Sequence, residues 1–144
     1  LDNDIFITDT APILPDIKGH CACRDVGKSW ETMRKSFKLP KDTFVNAGVQ
    51  MVDISTGKKI HKYFANICDN KIPPPLGYNS DQSYMNHWRS QNHESSTILG
   101  EEWNYFIGSH ISNRIENTTG KNFLHYAGEG RGMIERDIDN GTIQ

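Results

Sequence analysis

The stretch VQMVDISTGKKIHKYF, residues 49–64, decides whether the middle of this chain is sheet or helix. A hairpin is one reading, because Ser55, Thr56, Gly57 and Lys58 make a plausible turn. Ile60, Phe64 and Ile67, with Tyr63, also recur at helical spacing. The pattern is read as a helix or strand over 44–54, a turn at 55–58 and a helix over 59–68.

Upstream, Val26, Trp30, Met33 and Phe37 form one apolar stripe of period 3.6, with Lys28, Glu31, Arg34 and Lys35 outside it. This predicts a helix beginning near Cys23 and stopped by Pro40. Before it, Ile5, Phe6 and Ile7 suit a short strand, and Pro12 and Pro15 forbid regular helix in an extended lead-in over 1–20. Ile13, Leu14 and Ile17 are expected to point into the core.

Downstream, DNKIPPPLGYNSD (69–81) is a break whose three prolines favour an extended segment. Ser80 or Asp81 then caps a helix carrying Tyr84, Met85 and Trp88. A loop at 93–96 leads to the strongest helical pattern, 100–116, where Leu99, Trp103, Phe106, Ile107, His110, Ile111 and Ile115 share a face. Glu101 and Glu102 fit its first turn and Gly120 a left-handed cap beyond its end. Phe123 to Ala127 read as a strand, GEGRG as a flexible turn, and 133–138 as a strand or short helix. The expected fold class is α+β: a single compact domain over 1–144, with three to four amphipathic helices packed on a small, mostly antiparallel sheet.

Composition narrows the function classes. A net charge of −2 on 144 residues gives no electrostatic reason for nucleic acid or an anionic membrane. Lys58, Lys59, His61 and Lys62 read as a solvated face. No apolar run approaches the ~20 residues of a membrane span. The start at Leu1 fits a processed product or an excised piece, and a secreted or processed protein is slightly favoured over a cytoplasmic one. Asn117-Thr118-Thr119 and Asn140-Gly141-Thr142 are glycosylation sequons, which matter only on a eukaryotic secretory route. Three cysteines admit either one bridge from Cys68 to Cys21 or Cys23, or three thiols in a reducing compartment.

Four signals bear on chemistry. In GHCACRDVGKSW (19–30), a helix start at Cys23 would favour its thiolate, with Arg24 adding positive charge. A thiol nucleophile needs a base and an orienting group. His110 and His125 are the candidate bases and Asn113 the candidate orienter. This combination resembles the general plan of papain-like hydrolases, and NFLHYAGEGRG (122–132) resembles the C-terminal strand of cell-wall amidases of that type. The Asp-Cys-Ser-Gly block of that family is absent. The resemblance implies peptide-like or cell-wall amide substrates.

Second, His20, Cys21, Cys23 and Cys68 are soft ligands, but one tight cluster and one distant cysteine lack the paired spacing of structural zinc sites. No metal ligand set or cofactor is assigned. Third, Gly128, Gly130 and Gly132 with Arg131 fit an anion-binding backbone nest, and equally a hairpin turn. Fourth, Tyr105 lies off the predicted apolar stripe, as does Asn104, and suits a contact surface.

The functional expectation is a small secreted or effector-type protein of one of two kinds. One is a cysteine-dependent hydrolase. The other is a non-enzymatic binding or interaction module, whether adaptor, inhibitor or structural subunit, with its cysteines in a disulfide or zinc site. Its partner is a protein or a peptide-like substrate.

Overall fold

A computed structural model of the chain describes residues 5–9, 11–12, 16–25, 30–41, 43–73, 80–92, 96–107, 119–126 and 128–141. In chain order its elements are β1 (Ile5–Ile7), β2 (His20–Arg24), α1 (Trp30–Ser36), β3 (Val45–Val52), α2 (Ile54–Asp69), α3 (Asp81–Gln91), β4 (Ser96–Leu99), β5 (Tyr105–Phe106), β6 (Phe123–His125) and α4 (Ile134–Asp139). The class is α+β. The chain divides into a mid-chain unit, Asp16–Leu99, and a terminal unit, Leu1–Pro15 with Gly100–Gln144. In place of one mostly antiparallel sheet, each unit holds a mixed three-stranded sheet, ordered β3-β2-β4 and β1-β6-β5. In both, the central strand has one antiparallel and one parallel neighbour.

In the mid-chain unit β2 is the centre of its sheet, and His20, Cys21, Ala22 and Cys23 are all buried. A strand covered on both faces shows no alternation, and this one is built of small and polar residues. The cysteine pair therefore lies inside a strand, not at a helix N-terminus. The helix predicted from Cys23 is α1, which starts at Trp30. Its Met33 packs with Phe37, just past its last residue, and with Leu39 and Phe44, and Pro40 follows.

The ambiguous stretch resolves as strand, cap, helix. β3 ends at Val52, and Asp53 caps α2, accepting from Thr56 N at 2.7 Å and Gly19 N at 2.5 Å. The turn expected at 55–58 is the first turn of that helix. Ser, Thr and Gly suit a turn and a capped N-terminus alike; the carboxylate two residues upstream makes the difference. Lys58, Lys59, His61 and Lys62 lie on α2 and are all exposed, while Gly57, Ile60 and Tyr63 between and beside them are half-buried and Ile67 is buried. α3 starts at the expected Ser80 cap, which accepts from Ser83 N at 3.2 Å. Its buried residues are Gln82, Ser83, Asn86, Trp88 and Arg89, a mostly polar set.

The terminal unit corrects the helix read over 100–116. Residues 101–103 form one turn of 3-10 helix and Tyr105–Phe106 a strand parallel to β6. Ile107 N donates to His125 O at 2.9 Å and extends that pairing. Trp103, Phe106 and Ile107 match a helical period by spacing, but Tyr105, Phe106 and Ile107 are buried in succession, as on a strand covered on both faces. Leu99 lies on β4, and His110, Ile111 and Ile115, with Asn113, lie outside the described residues. Tyr105 is buried beneath the Lys121 ammonium, 4.5 Å from its ring centroid, and not a contact surface. It packs with Ile107, Leu124 and Tyr126, against which Phe6, Met133 and Ile134 lie. Gly120 has the expected left-handed conformation, with φ 73°.

Candidate functional site

The densest long-range side-chain network in the mid-chain unit sits where β3 departs from β2. Ala22 pairs with Gln50 and Arg24 with Val45, so the single residue between Ala22 and Arg24 faces a longer excursion, Asn46 to Val49, on β3. A bulge strips ladder partners from backbone groups, and they must be met another way. Here side-chain amides meet them. Asn86 Oδ1 accepts from Val45 N at 2.9 Å, and its Nδ2 donates to Val45 O at 2.8 Å. Gln82 Oε1 accepts from Ala47 N at 3.0 Å and Asn46 Nδ2 at 3.1 Å. Asn46 Oδ1 accepts from Gly48 N at 2.8 Å, and Gln50 Nε2 donates to Asn46 O at 2.7 Å. Gln82 Nε2 completes the clamp by donating to Asp25 Oδ2 at 2.7 Å.

Three elements thus converge on one polar edge: the end of β2, the bulge of β3 and the first turn of α3. Gln82 and Asn86 are buried, Asp25 and Asn46 are half-buried, and Asp81 is exposed. The edge offers carboxylates and held amides. Sequence reasoning missed it because a periodicity search counts apolar residues. The available signal was the polar set Gln82, Asn86 and Arg89, four and three residues apart on a helix.

The network runs inward to His20, whose Nε2 bonds Gln50 Oε1. Burial pushes the His20 imidazole down to about 4, opposed by the bond to Gln50 and reinforced by the charge of Arg89. Burial also lowers Arg89, to about 10, which leaves it charged at neutral pH. A second polar pair joins α2 to α3, where Tyr63 Oη lies 2.7 Å from His87 Nδ1. Partial burial raises Tyr63 to about 12 and lowers His87.

The residues expected to form a thiol site are placed as follows. Cys23 is 2% exposed within β2 of the mid-chain unit. His125 lies buried on β6 of the terminal unit. Its Nδ1 meets Asn104 Oδ1 at 2.9 Å, and Phe106 stacks on its ring at 4.8 Å between centroids. The amide next to His125 is thus Asn104, and Asn113 lies outside the described residues. Asn104 was visible as a polar residue off the apolar stripe. Cys21 is buried and Cys68 exposed.

Gly128, Gly130, Arg131 and Gly132 belong to one 3-10 segment, Gly128–Met133, leading into α4. Gly130 and Gly132 are not among the positive-φ residues. Gly130 has a packing reason instead, since a Cβ there would stand 2.4 Å from Ile107 O.

Among the described residues, no group of three His, Cys, Asp or Glu side chains is placed to hold a metal ion. None of the described helices is long and apolar enough to cross a membrane. No protein-family model, curated protein or solved structure matches the chain.

Proposed function

We propose that the chain is a binding or interaction module that presents the bulged edge of β3 and the first turn of α3 to a polar ligand or partner segment. The observation that carries this reading is that Asn86, Gln82 and Asn46 side chains accept from the backbone N–H groups of Val45, Ala47 and Gly48 along the irregular stretch of β3. An edge pinned in this way loses little conformational freedom on binding, which favours affinity. Bulges are enriched where a strand re-aims side chains toward a site. With the exposed Asp81 carboxylate beside it, the edge favours a partner that donates hydrogen bonds and is neutral or cationic.

The test is an amide-detected NMR titration of the 15N-labelled full chain with short peptides and neutral polyols. Shifts should cluster at Asp25, Asn46 to Gly48 and Gln82, and Gln82→Ala should abolish them. A panel whose binders all shift other residues, or that yields no binder, refutes the proposal.

A second reading, the cysteine-dependent hydrolase, is favoured by the buried His125–Asn104 pair, an imidazole held by an amide oxygen as a general base needs to be. It requires a reactive thiolate. Labelling of Cys23 by iodoacetamide at pH 6 faster than a model thiol would establish that requirement and count against the binding reading.

A further inference from the structure

Among the described residues, three buried polar atoms of the mid-chain unit have no hydrogen-bond partner: His20 Nδ1, Arg89 Nε and Ser96 Oγ. They occupy neighbouring places in the fold. His20 and Ser96 are paired residues of the parallel strands β2 and β4. Arg89 follows Trp88, whose ring packs edge-on against His20 at 5.9 Å between centroids.

The atoms differ in kind, and the difference can be worked out. Gln50 Nε2 donates to Asn46 O, so its Oε1 faces His20 and the imidazole proton sits on Nε2. Neutral His20 therefore offers Nδ1 as a bare acceptor. Arg89 Nε–H is a charged donor, and the Ser96 hydroxyl serves in either role. Arg89 is 2% exposed, and its Nη1 donates to the carbonyl of Thr43. Its last-turn position in α3 adds the partial negative charge of the helix end. Both are dipoles, and among the described residues no carboxylate pairs with it. A bridging water would fill the hydrogen bonds but leave the buried charge uncompensated.

We propose that His20, Arg89 and Ser96 form a buried site for one small monovalent oxyanion that carries its own proton, of the bicarbonate or dihydrogen phosphate class. An anionic oxygen accepts from Arg89 Nε–H, the hydroxyl of the same ion donates to His20 Nδ1, and Ser96 Oγ bonds a further oxygen. The site lies inward of the polar edge, linked to it through Gln50, and its ligand is read by a different measurement, so either proposal can fail without the other.

The test is the unfolding midpoint of the full chain, equilibrated with bicarbonate, phosphate or formate at matched pH and ionic strength, with chloride as reference. Bicarbonate or phosphate should raise the midpoint with concentration, and the stronger of the two identifies the ion. Formate, which lacks the hydroxyl, should act more weakly. Ser96→Ala should weaken the apparent affinity roughly tenfold, the loss of one hydrogen bond to a charged group. Arg89→Met should abolish the response; if that variant does not fold, Ser96→Ala still decides. A midpoint no higher than in chloride, or a response unchanged in Ser96→Ala, overturns the proposal. So does a crystal structure grown in bicarbonate or phosphate that places only water against the three atoms.

Discussion

Replacing Asn86 by alanine should cost far more stability than a polar side chain usually carries. Asn86 and Val45 are both fully buried, and the Asn86 amide is the partner of Val45 N and Val45 O, at 2.9 Å and 2.8 Å. Val45 keeps its register with Arg24 on the outer strand of the sheet, and burial keeps both groups from water. Each orphaned backbone group costs ~1–3 kcal/mol, and the vacated volume adds to that. The expected loss is about 3 to 5 kcal/mol in urea unfolding of the full chain, placing it in the exceptional tail for single substitutions. Native-state hydrogen exchange localises the effect, and the Val45 amide should exchange roughly a hundredfold or more faster than in the wild type.

Asn86→Asp separates the two bonds. It keeps the acceptor for Val45 N–H but sets a carboxylate against the carbonyls of Val45 and Gln82. It should therefore recover stability relative to wild type as pH falls and the acid becomes a donor. A loss below about 1 kcal/mol in Asn86→Ala, less than one orphaned group, with Val45 protection unchanged, would refute the claim that side-chain amides hold the bulge.

Three other outcomes follow from local geometry. The folded His20 resists protonation down to about 4, against 6.5 for the unfolded chain, so below pH 6.5 the unfolded state binds a proton that the folded state refuses. Stability should fall between pH 6.5 and 4 by up to about 3 kcal/mol, and a urea series across that range should lose this component in His20→Gln. Gly130→Ala drives a Cβ against Ile107 O and should cost ~1–3 kcal/mol, whereas Gly132→Ala meets nothing within 4 Å and should be neutral or mildly stabilising; thermal melts of the pair check the contrast. Under native conditions Cys68 should react with a maleimide at an ordinary thiol rate while Cys21 and Cys23 stay protected until unfolding, as read by mass spectrometry.

Elements with local causes were legible in the sequence. Ile5–Ile7 is a strand as its β-branched run implies, Ser80 caps α3, Pro40 lies beyond the end of α1, and Phe123–His125 is a strand. Where local chemistry suited two structures, the reading slipped. Ser55 to Lys58 fit a turn, yet Asp53 makes them the opening of a helix. Trp103, Phe106 and Ile107 fit a helical face, yet hydrogen bonds to β6 turn them into turn and strand. Of the candidate site, the thiol signal rested on a helix start that the structure places seven residues later, at Trp30. The Asn104–His125 pair and the amide clamp of α3 were missed because their partners stand 21 to 57 residues apart.

The order of amino acids was enough for the α+β class, for the caps and breaks of several helices, and for the lack of a strongly basic balance or a long apolar run. These depend on side-chain period, φ restriction and summed charge, which act over a few residues or over none in particular. Contacts between distant segments were needed to make HCAC the centre of a sheet, to bulge β3 at Asn46, and to bury Gln82, Asn86, Arg89 and His20. Propensity is worth tenths of a kcal/mol per residue, whereas an unmet buried polar group costs ~1–3 kcal/mol. Where distant strands compete for the same backbone groups, the cost of leaving one unmet outweighs propensity and selects the structure.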